Sequence, residues 1–164
     1  GPYSEYCILE NSVAVSGCSW QPGTLPATDN VNPVTGPKTL TVFLRDDAGN
    51  VSLPVSTQTV ALDLTAPLVS ITSPAAMSDV SSANVSNFSV TGTCSENGRT
   101  VTISGSARAT ATCLSGSWTA NLDFTSAPEG TVTIYADLTD DAGNAAVPAS
   151  RSFLKDTTAP TVAI

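Results

Sequence analysis

Histidine is absent from this 164-residue chain. Its absence removes imidazole metal sites and imidazole general bases, and with them Ser–His–Asp and Cys–His catalysis. Cations are scarce. Six Lys or Arg stand against fourteen Asp or Glu, for a formal net charge of −8 and an isoelectric point near 4.1. That balance argues against nucleic acid and anionic membranes as partners, and it is compatible with bound divalent cations. Aromatics make up only 5% of the chain. No apolar run is long enough to cross a bilayer, so no membrane insertion is expected. Residues 1–20 lack the basic start and apolar stretch of a signal peptide. Gly1-Pro2 matches a protease-cleavage scar, which reads the chain as an excised fragment.

What is present repeats. Leu44-Arg45-Asp46-Asp47-Ala48-Gly49-Asn50 is followed by Asp63-Leu64-Thr65-Ala66-Pro67. Leu138-Thr139-Asp140-Asp141-Ala142-Gly143-Asn144 is followed by Asp156-Thr157-Thr158-Ala159-Pro160. Asp140 trails Asp46 by 94 positions, and Asp156 trails Asp63 by 93. A period of that length means a tandem array of small domains. The expected division is residues 1–63, residues 64–157, and residues 158–164 as the first strand of a following repeat.

Four cysteines fall two to a unit, Cys7 with Cys18 and Cys94 with Cys113. Four Cys allow three connectivities, and one pair per repeat favours pairing within each unit. Each bond closes a short loop, worth about 3 kcal/mol in the chain-entropy account. Zinc or redox chemistry is the weaker reading, because neither His nor a C-x-x-C spacing occurs. Disulfides point to an extracellular, cell-surface or periplasmic setting.

Alternation predicts strands and no helices. Val132, Ile134, Ala136 and Leu138 share one face, with Thr131, Thr133, Tyr135 and Asp137 on the other. The first-unit counterpart places Leu40, Val42 and Leu44 inward, with Thr41, Phe43 and Arg45 outward. Trp118, Ala120, Leu122 and Phe124 alternate, as do Phe88, Val90, Gly92 and Cys94, and Ala107, Ala109, Ala111 and Cys113. Seven strands result, at 67–72, 86–94, 99–104, 107–113, 117–124, 130–139 and 149–156. The inward parity of the last stays undecided. Seven short strands in roughly 90 residues predict an all-β chain of tandem immunoglobulin-like β-sandwiches. Trp118 reads as core. Trp20 reads as cover for its neighbouring disulfide, the alternative being an exposed glycan-stacking surface with Tyr3 and Tyr6.

With these phrases in place, the chain resembles the bacterial Ig-like repeats of large surface adhesins and secreted multidomain proteins. The Asp-x-Ala-Gly-Asn turn and the Asp-x-Thr-Ala-Pro linker carry the resemblance. Gly116-Ser117-Trp118-Thr119 and Glu96-Asn97-Gly98 add to it. It covers 65–157 well and the first unit only in its second half. It implies a non-enzymatic stalk or adhesion module whose partners are neighbouring repeats and a cell-surface protein or glycan. The alternative is a carbohydrate-binding accessory module of a secreted hydrolase, which requires exposed coplanar aromatics.

The first unit is short before its turn, and its first two strands are missing from the pattern. Three readings stay open: truncation, a smaller domain, or completion by another chain. At the other end, Val162 and Ile164 match Val69 and Ile71 as a strand without a domain. An open edge beside an orphan strand suggests head-to-tail strand exchange.

In a seven-strand sandwich the second-to-third and sixth-to-seventh connections share a pole with the start of the first strand. That rule gathers Asp63, Glu96, Asp140, Asp141 and Asn144, all oxygen donors suited to Ca2+, and the resemblance also implies calcium at such joints. The plainer reading is a hairpin turn whose Asp bonds its own amides, followed by a proline linker. Asp79, Asp123 and Glu129 are isolated acids, unsuited to paired-carboxylate catalysis. Lys38 and Lys155 are candidates for an intramolecular isopeptide bond, but Lys155 abuts a linker.

Overall fold

The structure is a computed structural model and describes residues 3–162. The chain divides into two units, Gly1–Leu64 and Thr65–Ile164. Among the described residues there is no α-helix, only one short 3-10 turn at Val15–Gly17. The chain is all-β, as its alternation requires.

The first unit holds β1 (Glu5–Glu10), β2 (Gln21–Pro22), β3 (Gly36–Lys38), β4 (Leu40–Arg45), β5 (Val55–Ser56) and β6 (Val60–Leu62). One antiparallel sheet runs β2-β1-β4-β5, and β3 pairs with β6. Cys7 bonds Cys18, with Cα atoms 5.6 Å apart.

The second unit holds β7 (Asp79–Val80), β8 (Phe88–Thr93), β9 (Thr100–Gly105), β10 (Ala109–Thr112), β11 (Ser117–Leu122), β12 (Gly130–Asp137) and β13 (Ala149–Lys155). One sheet runs β10-β9-β12-β13-β7; the other pairs β11 with β8. Bridges from Val69 to Cys94 and from Ser73 to Thr91 add the first stretch of the unit to β8. The inward residues of both sheets form one core, including Phe88, Val90, Trp118 and Leu122 from one and Val101, Ile103, Val132, Ile134 and Phe153 from the other. Alternation places them there, because successive strand side chains point to opposite faces. Phe88 lies edge-on to Phe153 and Phe124, at centroid distances of 4.9 and 5.8 Å. Each such pair adds about 0.5–1.5 kcal/mol beyond area burial. Cys94 bonds Cys113 inside this core, with Cα atoms 6.0 Å apart.

The seven expected strands are found, the first reduced to isolated bridges. Two features differ from expectation. The chain leaves β8's sheet after Ser73 and joins the other at β7, a two-residue strand parallel to β13. Two residues leave no alternation to read. The undecided parity of β13 resolves with Phe153 and Lys155 buried. The pattern is obscured because Arg151 and Lys155 share the parity of the core residue. Arg151 donates to the carbonyls of Ile71, Thr72 and Pro74, holding the crossover, and Lys155 Nζ donates to Ala127 O at 2.5 Å.

The expectation for β4 is corrected. Thr41 and Phe43 are the buried residues, at 1% and 3% exposure. Leu40, Val42 and Leu44, expected inward, are only half-buried. Registers explain why. Leu44 stands where Leu138 stands in the second unit, two residues before the repeated Asp. Val42 pairs with Ile8 as Ala136 pairs with Ile103. The face is equivalent, but the layer that covers it is missing. No counterpart of the β8–β11 sheet occurs among the described residues of the first unit. Even the segment equivalent to β11 is coil, so more is lacking than the two strands expected. The opposite face is buried instead, beneath the Cys7–Cys18 bond, with Cys7 directly across from Phe43. Trp20 is corrected as well. It is half-buried rather than core, with the Arg45 guanidinium 4.4 Å above its ring. Residues 158–162 form no strand, and Val162 is 91% exposed. Ile164, matched to Ile71 by sequence, lies outside the described residues.

Candidate functional site

The repeated turn joins β12 to β13, and its first-unit copy joins β4 to β5. In the second unit, Asp140 N donates to Asn144 O at 3.1 Å. Asn144 returns its backbone N–H to Asp140 Oδ1 and its side-chain amide to Oδ2, both at 2.8 Å. Gly143 takes φ +92°, a left-handed angle that L side chains resist. In the first unit, Asn50 N and Ala48 N donate to Asp46 Oδ1 at 2.8 and 3.0 Å. Asn50 Nδ2 donates to Oδ2 at 2.9 Å, and Gly49 takes φ +86°. The phrase therefore encodes one object twice, a carboxylate tied into its own turn.

Both carboxyls are held below their ordinary range. For Asp140 the largest cause is the Asn144 side-chain amide, with backbone amides adding to it and burial opposing. For Asp46 the Asn50 side chain leads likewise. The shift follows from hydrogen bonding to the charged form.

Three separate stretches meet at this end of the second unit. Ser95 N donates to Leu68 O at 3.0 Å, and Leu68 N to Ser95 Oγ at 2.9 Å. Those bonds join the first stretch of the unit to the β8–β9 turn. Arg99, in that turn, reaches the β12–β13 corner. Its guanidinium donates to Thr139 O at 3.2 Å and Asp140 O at 3.1 Å, and it pairs with Asp141. Glu96 is half-buried and accepts from Ser95 Oγ at 3.3 Å. Asp63 belongs to the first unit, and Glu96, Asp140, Asp141 and Asn144 to the second.

Within the second unit, hydrogen bonds thus join the first stretch to the β8–β9 turn, and Arg99 joins that turn to the β12–β13 corner. Among the described residues no three Asp, Glu or Cys side chains gather as a metal-holding group. In this geometry Asn144 donates to both Asp140 oxygens and Arg99 holds Asp141 Oδ1. Arg99 was not singled out by sequence. The available signal was its scarcity, one of six cations placed next to a turn in an acidic chain.

The other end of the unit has its own lock. Glu129 accepts from Thr157 N at 2.9 Å and Thr157 Oγ1 at 2.6 Å, and its Oε1 lies 3.4 Å from Lys155 Nζ. Its carboxyl is lowered, chiefly by the Thr157 hydroxyl. Lys38 is likewise buried and bonds Glu10 at 2.6 Å.

Asp79, Asp123 and Glu129 do not gather as a three-carboxylate group among the described residues. Asp123 accepts from Thr125 N in its own turn. A cleft of about 330 Å³ lined by Gly98, Arg99, Thr100, Thr102, Asp137, Leu138 and Thr139 contains one carboxylate. Every aromatic residue is described, and only Tyr135 is exposed. Trp118 is core, at 2% exposure.

No protein-family profile matches the chain, and no curated protein matches it in sequence. Solved structures do match in shape. A tetra-tandem repeat from the extending region of a large adhesion protein superposes with a TM-score of 0.51 at 23% identity, covering 97% of this chain and 43% of that one. Fibronectin(III)-like modules of Clostridium thermocellum CbhA give 0.43 at 16% identity, covering 95% and 80%. The D00–D0 domain of intimin gives 0.34 at 18%, covering 94% and 87%. Only the first exceeds 0.5, and at its identity the likeness is one of fold. The chain spans less than half the length of that structure. Together with the sheet topology, this makes the chain an all-β assembly of the immunoglobulin-like class.

Proposed function

We propose that the chain is a non-enzymatic, load-bearing segment of a bacterial secreted or cell-surface protein, serving as stalk or adhesion module between neighbouring Ig-like repeats. One observation supports this most. β7 and β13, near the two ends of the second unit, run parallel and adjacent, pairing Leu154 with Asp79 and Lys155 with Val80. A pull on the two ends of the unit first loads the bonds of 68–73 to β8 and, once these yield, slides β7 along β13. Met77 N→Ser152 O, Leu154 N→Ser78 O and Asp156 N→Val80 O, at 2.8, 3.1 and 3.0 Å, carry that load together. An antiparallel pair pulled from one end opens one bond at a time. Forced unfolding is governed by the unfolding barrier, which a shear geometry raises. The disulfides fit an oxidising exterior, and the likeness to adhesion-protein repeats fits a spacer role. The lone exposed aromatic gives no support to a glycan-binding platform.

Single-molecule pulling through the chain ends tests the proposal. The second unit should rupture in one high-force event. Asp156→Pro, which deletes one donor of the shear ladder, should lower that force more than it lowers the melting midpoint. Equal forces for parent and variant, or retention on polysaccharide columns, count against the reading.

A further inference from the structure

The two disulfides sit in unlike surroundings. Among the described residues of the first unit, Cys7 and Phe43 are the only buried apolar side chains, with Thr41 and Lys38 the buried polar ones. The second unit buries a full cluster, and Cys94 and Cys113 are two members of it, at 6% and 0% exposure. The Cys94–Cys113 bond is thus inside a core that other residues make. The Cys7–Cys18 bond is itself a main part of the core it closes. A small unit with so little buried apolar surface depends on its cross-links.

The cover over Cys7 and Phe43 is thinly attached. Apart from the β1–β2 ladder, the hydrogen bonds made by 12–20 stay within 12–21. They run from Ala14 N to Ser12 Oγ, Gly17 N to Ala14 O, Cys18 N to Val15 O and Gln21 Nε2 to Ser19 O. Val13 and Val15 are exposed rather than packed. What holds this stretch to the sheet is the Cys7–Cys18 bond, Leu9 against Gly17, and Trp20 beneath the Arg45 guanidinium. Leu9 and Trp20 are each only half-buried, and a cation–π contact at such a site is weak. Of the three ties, the covalent one dominates.

We infer that the fold of the first unit is conditional on the Cys7–Cys18 bond, so that a dithiol reductant unfolds this unit and leaves the second unit folded with Cys94–Cys113 intact. Access decides which bond reacts. Cys18 is half-buried in an otherwise exposed stretch, whereas both sulfurs of the second unit lie in its core. A reductant thiolate attacks Cys18 Sγ, the S–S bond breaks, and Cys7 leaves as a thiolate that takes up a proton. The second thiol of the reductant then displaces Cys18 as a thiol and closes the reductant into a cyclic disulfide, completing a two-electron exchange. With the tie gone, 11–20 lifts from Cys7 and Phe43, and little else holds β1 and β4 in a folded unit. In an oxidising exterior the first unit is a folded spacer; where a dithiol reaches it, it becomes a slack tether. This goes beyond the load-bearing role and does not depend on it.

The test treats the intact chain with dithiothreitol under native conditions, followed by thiol alkylation with mass mapping and by amide NMR. The expected result is alkylation of Cys7 and Cys18 alone, collapse of the first-unit signals to unfolded positions, and an unchanged second-unit spectrum. The paired variant Cys7→Ala with Cys18→Ala, without reductant, should lower the first-unit melting midpoint by about 10 °C or more and leave the second-unit midpoint in place. Three results overturn the inference: alkylation of Cys94 and Cys113 as fast as of Cys7 and Cys18, first-unit signals that stay dispersed once Cys7 and Cys18 are reduced, or no alkylation at saturating reductant.

Discussion

Asn144 grips Asp140 with two amides at once, one from its backbone and one from its side chain, each at 2.8 Å. Four positions of chain are closed into a ring whose negative charge is spent on its own donors. Asn50 and Asp46 repeat the arrangement in a unit with no counterpart of the β8–β11 sheet among its described residues, so the ring does not depend on that packing.

Asp140→Ala should lower the melting midpoint of the second unit more than Asp140→Asn, because the amide keeps one acceptor for the Asn144 donors while the methyl keeps none. Asn144→Ala should fall between them, sparing the backbone bond. Circular dichroism melts of the three variants check the order.

Acid should destabilise both units. Asp46, Asp140 and Glu129 have folded-state pKa values lowered from ordinary values of 3.8, 3.8 and 4.5. The unfolded chain then binds more protons, so stability rises with pH across this range. Their contribution is complete above the ordinary values and is lost as pH falls through the depressed ones. Melting midpoints should be flat from neutrality to about pH 5 and decline below about pH 4. Asp140→Asn should flatten the decline in the second unit.

Gly92 is the tightest backbone approach in the second unit. A Cβ there would lie 1.9 Å from Ser70 O and 2.4 Å from the Trp118 ring. That ring donates Nε1–H to Ser70 O and Thr93 O at 3.1 and 3.2 Å, tying the first stretch of the unit to β8. Gly92→Ala should cost about 1–3 kcal/mol by overpacking, read from urea denaturation. Trp118→Phe keeps much of the ring and loses the N–H, and should cost about 1–3 kcal/mol through two carbonyls losing a partner.

Calcium should leave the melting midpoint unchanged between chelator and millimolar metal, because Asn144 donates to both Asp140 oxygens and Arg99 holds Asp141 Oδ1. A rise that vanishes in Asp140→Asn would restore the metal role of Asp63, Glu96, Asp140, Asp141 and Asn144.

Much of the second unit was legible because its two faces differ in chemistry. Val132 to Leu138 alternates cleanly against Thr131 to Asp137, and both cysteines fall on the buried parity. β13 was not legible, since Arg151 and Lys155 sit on the core parity and bury their stems while their heads find carbonyls. β4 shows the opposite limit. Its alternation was read correctly as two faces, but which face is buried depends on a layer that alternation within β4 does not report. The corner residues were found by repetition, whereas Arg99 was missed because one guanidinium reaching across two turns leaves no periodic trace.

The self-sufficient corner has a kinetic consequence. A ring closed by residues four apart needs little loop entropy to form, whereas Trp118 and Ser70 meet across 48 positions. The β12–β13 hairpin should therefore be in place at the folding barrier while the Trp118 tie is still open. Weakening Asp140 should slow folding, and weakening Trp118 should chiefly hasten unfolding.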